Sequence, residues 1–563
     1  MDLSQSRNPL FLKNQNKDEL KNTCEEIRDF IIDYTSKNGG YLSGNLSAVE
    51  ISVMLNKVFS SDDRLIFDGN DLNYTNKILN GMIDELRTNS NGAYSLANAL
   101  GIAAARDLDH KEYNVVAVVN STDLLSGRNI EALNLISNSN RKIIIVFNDD
   151  TTIDRGIGMI DRLISSLRNT RSYNNLKDNV KDMIRPAKGG EKIIENIHNI
   201  KSNIKKSVID EGIFSEFNID YIGPIDGHDL SVLERAFMIA REKEYPCVVH
   251  CLTTKGKGFR YAEACTNDSW NKVSKFDRNN GKMMHTEAGN YLYARNIAGK
   301  TIEKMMGENQ DIVCVTTRNI NEYGVSGIFA KYPQRCFDTA SSAENSLSFA
   351  SGLALNGKIP YLVLRSFELP NAFRILKNQI AKLNRPFIIG LIDDGTLNHD
   401  LLAGLNNIYI MEPENSETLQ QTLLSGTSLD RPVIVIYPEK CIEYKEISDF
   451  SPIEVGKWPQ ISNNDMNGIT ILAAGDDLRL IEEIIFRNEL PYDLINTCSI
   501  WPLDEGYLDS IYDSNKRVFV YGHNIEVNLL KYLNKKDSSL LVDFVDKNGV
   551  DGLFEYIKDR TDA

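Results

Sequence analysis

The stretch "VVAVVNSTDLLSGRNIEALNLI", residues 115–136, decides how this chain is read. It opens on an unbroken apolar run rich in valine, which predicts a strand buried on both faces. Apolar residues then return at helical spacing through "NIEALNLI". The next strand is predicted in "RKIIIVFND", residues 141–149. Strand, helix and strand in that order make a βαβ unit. In open α/β sheets the turn leaving such a strand is where a ligand is held. Here that turn reads Asn120, Ser121, Thr122 and Asp123.

Working outward, the first 110 residues read mostly as helix. "KDELKNTCEEIRDFIIDYTSKNGG" has apolar residues at helical spacing and stops at Gly39 and Gly40. "NLSAVEISVMLNKVF" and "AYSLANALGIAAARDL" follow as helices, the latter with a small-residue face suited to lie close against a sheet. Residues 165–215 are polar and basic and read as a surface excursion. Strands return at "NIDYIGPIDGHD" and "YPCVVHCLTTKG", with the helix "LSVLERAFMIAREK" between them. A second alternation of strands and helices runs from "DIVCVTT" to "RPVIVIYPEKC". A polar linker follows, and a third alternation runs from "ITILAAG" to "SSLLVDFVD". The expectation is an α/β fold of three serial modules with mostly parallel sheets, 1–290, 291–460 and a shortened 461–563.

At 563 residues the chain exceeds what one hydrophobic core organises. The apolar fraction of 42% is ordinary for a globular protein. A net charge of -15 argues against nucleic acid as a partner, which calls for clustered Lys and Arg. A local basic pocket for a small anion stays open. The sequence has eight cysteines and no C-x-x-C spacing. Cys247 and Cys251 share one side of a predicted strand and cannot converge on zinc, so reduced thiols are expected. No secretory leader is read at the N-terminus and no membrane-spanning run is found, so the expected location is cytoplasmic.

Several segments together carry a resemblance. "YIGPIDGHDL" (221–230), "TTKGKGFRYAE" (253–263), "KVSKFD" (272–277) and "RCFDTASSAENSLSFASGLA" (335–354) resemble the 1-deoxy-D-xylulose-5-phosphate synthase family in motif, order and spacing. The resemblance covers nearly the whole chain. It implies a transketolase-like fold and a homodimer with active sites between subunits. It implies thiamine diphosphate and Mg²⁺ as cofactors, and condensation of pyruvate with glyceraldehyde 3-phosphate in isoprenoid biosynthesis.

Carried over residue by residue, the resemblance implies replaced functional groups. The family's Gly-Asp-Gly loop, whose aspartate holds Mg²⁺, aligns with Asn120, Ser121 and Thr122. A neutral hydroxyl is a poor substitute for a carboxylate at a hard cation. The other implied metal ligands align with Asp150 and, through its backbone, Thr152. Asp123 offers a carboxylate two positions beyond Ser121. The family glutamate that activates thiamine aligns with Ala343, and the neighbouring Glu344 stands where the family has glutamine. Family histidines align with Tyr41, Asp71 and Asn271, none of which shuttles protons near neutrality. His228 is retained inside "IDGHD", where a cofactor-side role and a structural turn contact are both open.

Phosphate-binding arginines align with Asn371 and Glu439, and the aromatic residue over the pyrimidine aligns with Glu368. Phe367 could reach the same space. Asp394 is retained, Asn398 replaces a histidine, and Arg365, a tyrosine in the family, adds a positive charge. The leading expectation is a noncatalytic paralogue on the synthase scaffold, as a homodimer or a heterodimer with an active relative. In that reading thiamine diphosphate and Mg²⁺ bind weakly or not at all. The alternatives are a thiamine-diphosphate-dependent transferase of the family type, or altered chemistry in the same cleft using Asp150, Asp226, Glu344 and Asp394.

Overall fold

The structure is a computed structural model. It describes residues 9–561 apart from 70, 88–94, 125, 151–213, 215–216, 218, 266–268, 284–288, 318–319, 340–341, 450, 463–467, 512–515, 537, 539 and 547–548. Thr152 and nearly all of the polar segment 165–215 lie outside the described residues. The chain forms two compact units, Met1–Met284 and His285–Ala563.

In the first unit, α1 (Lys17–Asn38) begins at Asn16, whose side chain accepts from the backbone of Asp18 and Glu19 while Glu19 accepts from Asn16 N–H. This reciprocal cap satisfies donors that a helix start otherwise leaves open. The helix stops at Gly39, where φ is +73°. After α2 (Val49–Val58) and α3 (Ser95–Leu108) comes the sheet. Its strands are β1 (Arg64–Phe67), β2 (Val115–Asn120), β3 (Ile144–Asp149), β4 (Asp220–Asp226) and β5 (Cys247–Leu252). All pair in parallel, in the order β1-β2-β3-β5-β4.

Every residue of β2 and β3 is buried, as the continuous apolar runs require. Alternate residues serve two cores, because successive side chains leave a strand on opposite faces. Val116 and Val118 pack with α1, α2 and α4 (Leu230–Glu242). Val115, Ala117 and Val119 pack with α3 and with the helix after β2, through Ala99, Ala103, Ala132 and Leu133. The small face of α3 thus lies against the sheet.

Among the described residues the second unit holds two main sheets beside a short antiparallel pair, Tyr291–Tyr293 with Cys441–Glu443. The strands of the main sheets are β6 (Ile312–Thr316), β7 (Cys336–Asp338), β8 (Ile359–Arg365), β9 (Ile388–Asp393), β10 (Tyr409–Met411), β11 (Val433–Pro438), β12 (Gln460–Ser462), β13 (Ile469–Ala473), β14 (Tyr492–Asn496), β15 (Ser499–Trp501), β16 (Arg517–Tyr521) and β17 (Leu541–Val545). One sheet has seven strands in the order β7-β6-β8-β9-β11-β10-β15, all parallel except β15. The other has five in the order β12-β14-β13-β16-β17, with β12 antiparallel. The architecture is α/β with mostly parallel sheets.

Two details depart from a simple serial reading. β15 comes from the C-terminal alternation, yet it pairs with β10 of the seven-stranded sheet. The segment read as a polar linker delivers Trp458 into the core, its indole N–H donating to Ser499 O at 2.8 Å. No helix among the described residues is long and apolar enough to cross a membrane. No cysteine is in a disulfide.

Candidate functional site

The C-terminal ends of β2 and β3 gather most of the polar residues singled out in the first unit. β2 passes directly into a helical turn, Ser121–Leu124, which is followed by the helix Gly127–Ser139. Asn120 caps that turn, its Oδ1 accepting from Asp123 N–H at 2.7 Å. Its Nδ2 donates to Asp71 Oδ2 at 2.7 Å. Asn129 donates to Asp123 O at 2.8 Å and to Asp68 Oδ2 at 3.2 Å. Asn120, Ser121 and Asp123 are all buried. The segment aligned with a glycine loop is therefore a capped helical turn, held on one side by Asp71 and Asp68.

Asp150 follows β3 and is buried. Ser47 Oγ lies 2.7 Å from Gly44 O and 3.2 Å from Asp150 Oδ2, so one hydroxyl proton is shared between them. Asn148 donates to Ser47 Oγ at 3.1 Å and accepts from Thr253 Oγ1 at 2.8 Å. Asp150 and the Ser121 turn stand at the ends of adjacent strands. Among the described residues, no group of three or more His, Cys, Asp or Glu is arranged to hold a metal ion.

Tyr41, Asp71 and Asn271 are brought near the same place. Gly40–Tyr41 pairs antiparallel with Lys272–Val273, and Leu42 N–H donates to Asn271 O at 2.8 Å. The Lys272 ammonium lies 5.8 Å from the Tyr41 ring centre. A Cβ at Gly44 would meet Asp71 O at 2.8 Å, so only glycine lets these two segments touch.

His228 belongs to a neighbouring knot, reached through Thr254, the residue after Thr253. Its Nε2 accepts from Thr254 N–H at 2.8 Å, which places the ring proton on Nδ1, facing Glu50 Oε2 at 3.0 Å. Glu50 also receives a two-pronged contact from Arg28 at 2.8 and 2.9 Å. Burial pushes the Glu50 carboxyl up, but the His228 hydrogen bond and the Arg28 charge outweigh it and hold the group below its ordinary range. Both ring nitrogens of His228 are thus engaged within the protein. A cleft of about 1040 Å³ opens beside this knot, lined by Arg28, Glu50, His228, Lys257 and Arg260 among others. Neither Ser121 nor Asp150 lines it.

In the second unit, Ala343 is the first residue of the helix Ala343–Leu355 and is buried. Glu344 is half-buried and accepts from Ser342 Oγ at 3.0 Å. Glu368 is buried and accepts from Tyr323 O–H at 3.0 Å and from Arg365 N–H at 2.9 Å. Phe367 and Asn371 flank it, both half-buried, the latter in the helix Leu369–Asn378. Asn398 caps the short helix His399–Ala403, accepting from the backbone of Asp400 and Leu401.

Asp394 Oδ1 accepts from Ser366 and Thr396 hydroxyls, each at 2.6 Å. In the neighbouring Asp393, burial raises the carboxyl above its ordinary value, and the Glu412 charge adds to this.

Arg365 and Glu439 meet. β8 and β11 lie on either side of β9, where Gly390 leaves room for the Tyr361 and Tyr437 hydroxyls to approach to 3.3 Å. Further along, Arg365 forms a two-pronged ion pair with Glu439, one arm at 2.8 Å. Arg295 reaches the same carboxylate at 3.4 Å. Burial opposes the Arg365 charge, yet Glu439 and then Glu322 outweigh it and raise its basicity. The positive charge at Arg365 is thus bound to Glu439.

Sequence reasoning missed Ser47, Asn129, Asn148, Arg295 and Tyr323 as members of these clusters. Four are ordinary polar residues in helices and strands and Tyr323 lies in a turn, and only the asparagine ending the apolar run of β3 offered a signal.

The parallel sheets, with polar groups collected beyond their strand ends, define an α/β protein of the kind that uses strand-end loops as its working surface. The family model for 1-deoxy-D-xylulose-5-phosphate synthase matches residues 3–93 and 86–253. The chain is 30% identical over 560 residues to the 1-deoxy-D-xylulose-5-phosphate synthase of Caldanaerobacter subterraneus subsp. tengcongensis, covering 91% of this chain and 88% of that one. It is 28% identical over 601 residues to the synthase of Clostridium tetani, covering 97% and 95%. Among solved structures, a transketolase from Campylobacter jejuni subsp. jejuni NCTC 11168 is similar at 13% identity and a TM-score of 0.38, covering 97% of this chain and 98% of that one. The chain belongs to the 1-deoxy-D-xylulose-5-phosphate synthase family.

Proposed function

We propose that this chain is a noncatalytic member of the family that acts through binding or assembly, as a homodimer or as a heterodimer with an active relative. One observation carries the reading. Position 343, aligned with the glutamate that activates thiamine, presents a buried methyl group, and Glu344 is engaged by Ser342. A methyl group neither accepts nor donates a proton, so the aminopyrimidine would lack its partner.

The residues aligned with the cofactor loop do not fit thiamine diphosphate with Mg²⁺. Ser121 supplies no charge for the cation. Asn120 fills a glycine position with a buried side chain whose amide is committed to Asp71 and Asp123. A diphosphate needs close backbone approach there. No catalytic step is assigned through the cofactor. Glu439, paired with Arg365, puts a carboxylate where the family reads phosphate, and this supports the same conclusion.

Titration calorimetry with Mg²⁺ and thiamine diphosphate together tests the reading, followed by an assay for carbon dioxide release from pyruvate. Each lost hydrogen bond to a charged group weakens binding by about 1.5–3 kcal/mol. Two such losses weaken it on the order of a hundredfold or more relative to active relatives. Micromolar binding with turnover would overturn the proposal. The triple change Asn120→Gly, Ser121→Asp and Thr122→Gly is expected to strengthen cofactor binding. Sedimentation, alone and mixed with an active relative, tests assembly, and a monomer at micromolar concentration that captures no relative would refute it.

A further inference from the structure

Cys336 is the first residue of β7, the edge strand of the seven-stranded sheet. Its register partner on β6 is Cys314. Residues directly opposed in a parallel pair leave the sheet on the same face, and adjacent strands lie about 4.8 Å apart. A disulfide joins Cα atoms roughly 4.4–6.8 Å apart. Both side chains belong to one apolar cluster, which includes Met305, Ile328 and Tyr361. Cys314 is fully buried and Cys336 is half-buried. The Cys336 thiol lies 3.6 Å from Ile328 O, in the short helix Ser326–Lys331.

We propose that Cys314 and Cys336 form a reversible thiol-oxidation site, closing to an intramolecular disulfide on reaction with a low-molecular-weight disulfide.

The two thiols differ in the way such chemistry uses. A hydrogen bond from Cys314 holds the Cys336 thiol below its ordinary value against the effect of burial, and the Arg335 charge helps. That hydrogen bond, and then burial, push Cys314 well up. By contrast, burial raises Cys247 and Cys498 to about 12. A depressed, partly exposed thiol attacks first, and a buried neighbour resolves. Cys336 thiolate attacks one sulfur of the small disulfide, breaking its S–S bond and releasing one thiolate, which takes up the Cys336 proton. Cys314 then loses its proton and attacks the Cys336 sulfur, expelling the second small thiolate, which takes that proton. Two protein thiols are oxidised by two electrons, and one small disulfide is reduced to two thiols.

Among the described residues β7 is held on one side only, by β6, and Thr339 N–H extends that contact to Thr316 O at 3.1 Å. The same strand leads toward the helix that begins at Ala343. The bond would therefore fasten the edge of the sheet just ahead of the candidate site.

The test treats the full chain with glutathione disulfide, blocks remaining thiols with iodoacetamide, and maps peptides by mass spectrometry. The expected product is a linked pair of peptides carrying residues 314 and 336, lost on reduction with dithiothreitol and accompanied by a higher Tm. Cys336→Ser abolishes both effects. In Cys314→Ser, Cys336 is trapped as its glutathione adduct, with no rise in Tm. Cys314→Ala gives a second route to the same readout if the serine is poorly tolerated in the core. The proposal is overturned if wild-type Cys336 accumulates the adduct without linking to Cys314. It is equally overturned if Cys336 stays unmodified while half-buried Cys265 or Cys498 reacts.

Discussion

Replacing Glu439 with alanine tests the electrostatic core of the second unit. Glu439 is 24% exposed and its partner Arg365 only 5%. Without the carboxylate, Arg365 keeps the Glu322 carbonyl at 3.3 Å, while Arg295, at 17% exposure, loses the anion it shares. Breaking a buried pair by removing one partner costs about 3–5 kcal/mol. Glu439 is a quarter exposed, so the lower end applies, about 3 kcal/mol. For a folding unit of this size each kcal/mol moves Tm by about 2–4 °C, which gives a fall of roughly 6–12 °C. The assay is scanning calorimetry of the full chain, reading the transition that moves. The double change Arg365→Met with Glu439→Leu removes both charges and should recover to within about 1 kcal/mol of the native chain. A Glu439→Ala protein that melts within about 1 °C of native would refute the reasoning. So would a double variant as unstable as the single one.

Two further perturbations follow from the geometry. His523 faces Asp546 through Nε2 and Glu526 through Nδ1, and these hydrogen bonds raise its basicity above the ordinary value of 6.5. Its contribution is fully present below that unfolded value and is lost as pH rises through the higher folded one. His523→Gln should flatten this part of the stability–pH curve measured by urea unfolding, and an unchanged slope would count against the assignment. Gly223→Ala places a Cβ 2.7 Å from His250 O at a φ of +142°, so β4 and β5 must part. A loss above about 1 kcal/mol is expected, and a neutral result would contradict the close strand approach.

What could be read from the sequence was what repeats locally. The valine run of β2 announced a strand buried on both faces because that burial needs only neighbouring residues to be apolar. The glycine pair after α1 marked the helix end because a positive φ is a local demand. The clusters were different. Arg365 and Glu439 were each recognised as altered positions, but their pairing depends on β8 and β11 flanking β9, which no local pattern encodes. Asp71, in the turn past β1, likewise meets Asn120 at the end of β2, and Ser47, at the end of a short helix, reaches Asp150 just past β3. Trp458 sits in a polar stretch, and its burial depends on a partner strand some way ahead in the chain.

The placement of β15 bears on how the chain is made. During synthesis the strands β6 to β11 emerge together, but the sheet they form keeps β10 as an open edge until Ser499–Trp501 follows. An open edge offers unpaired N–H and C=O groups to any passing strand. Until residue 501 has left the ribosome, the half-finished sheet therefore leaves that edge open to chaperones and to other nascent chains. Slowing translation between residues 440 and 500 should then lower the soluble yield more than the same delay placed after residue 501.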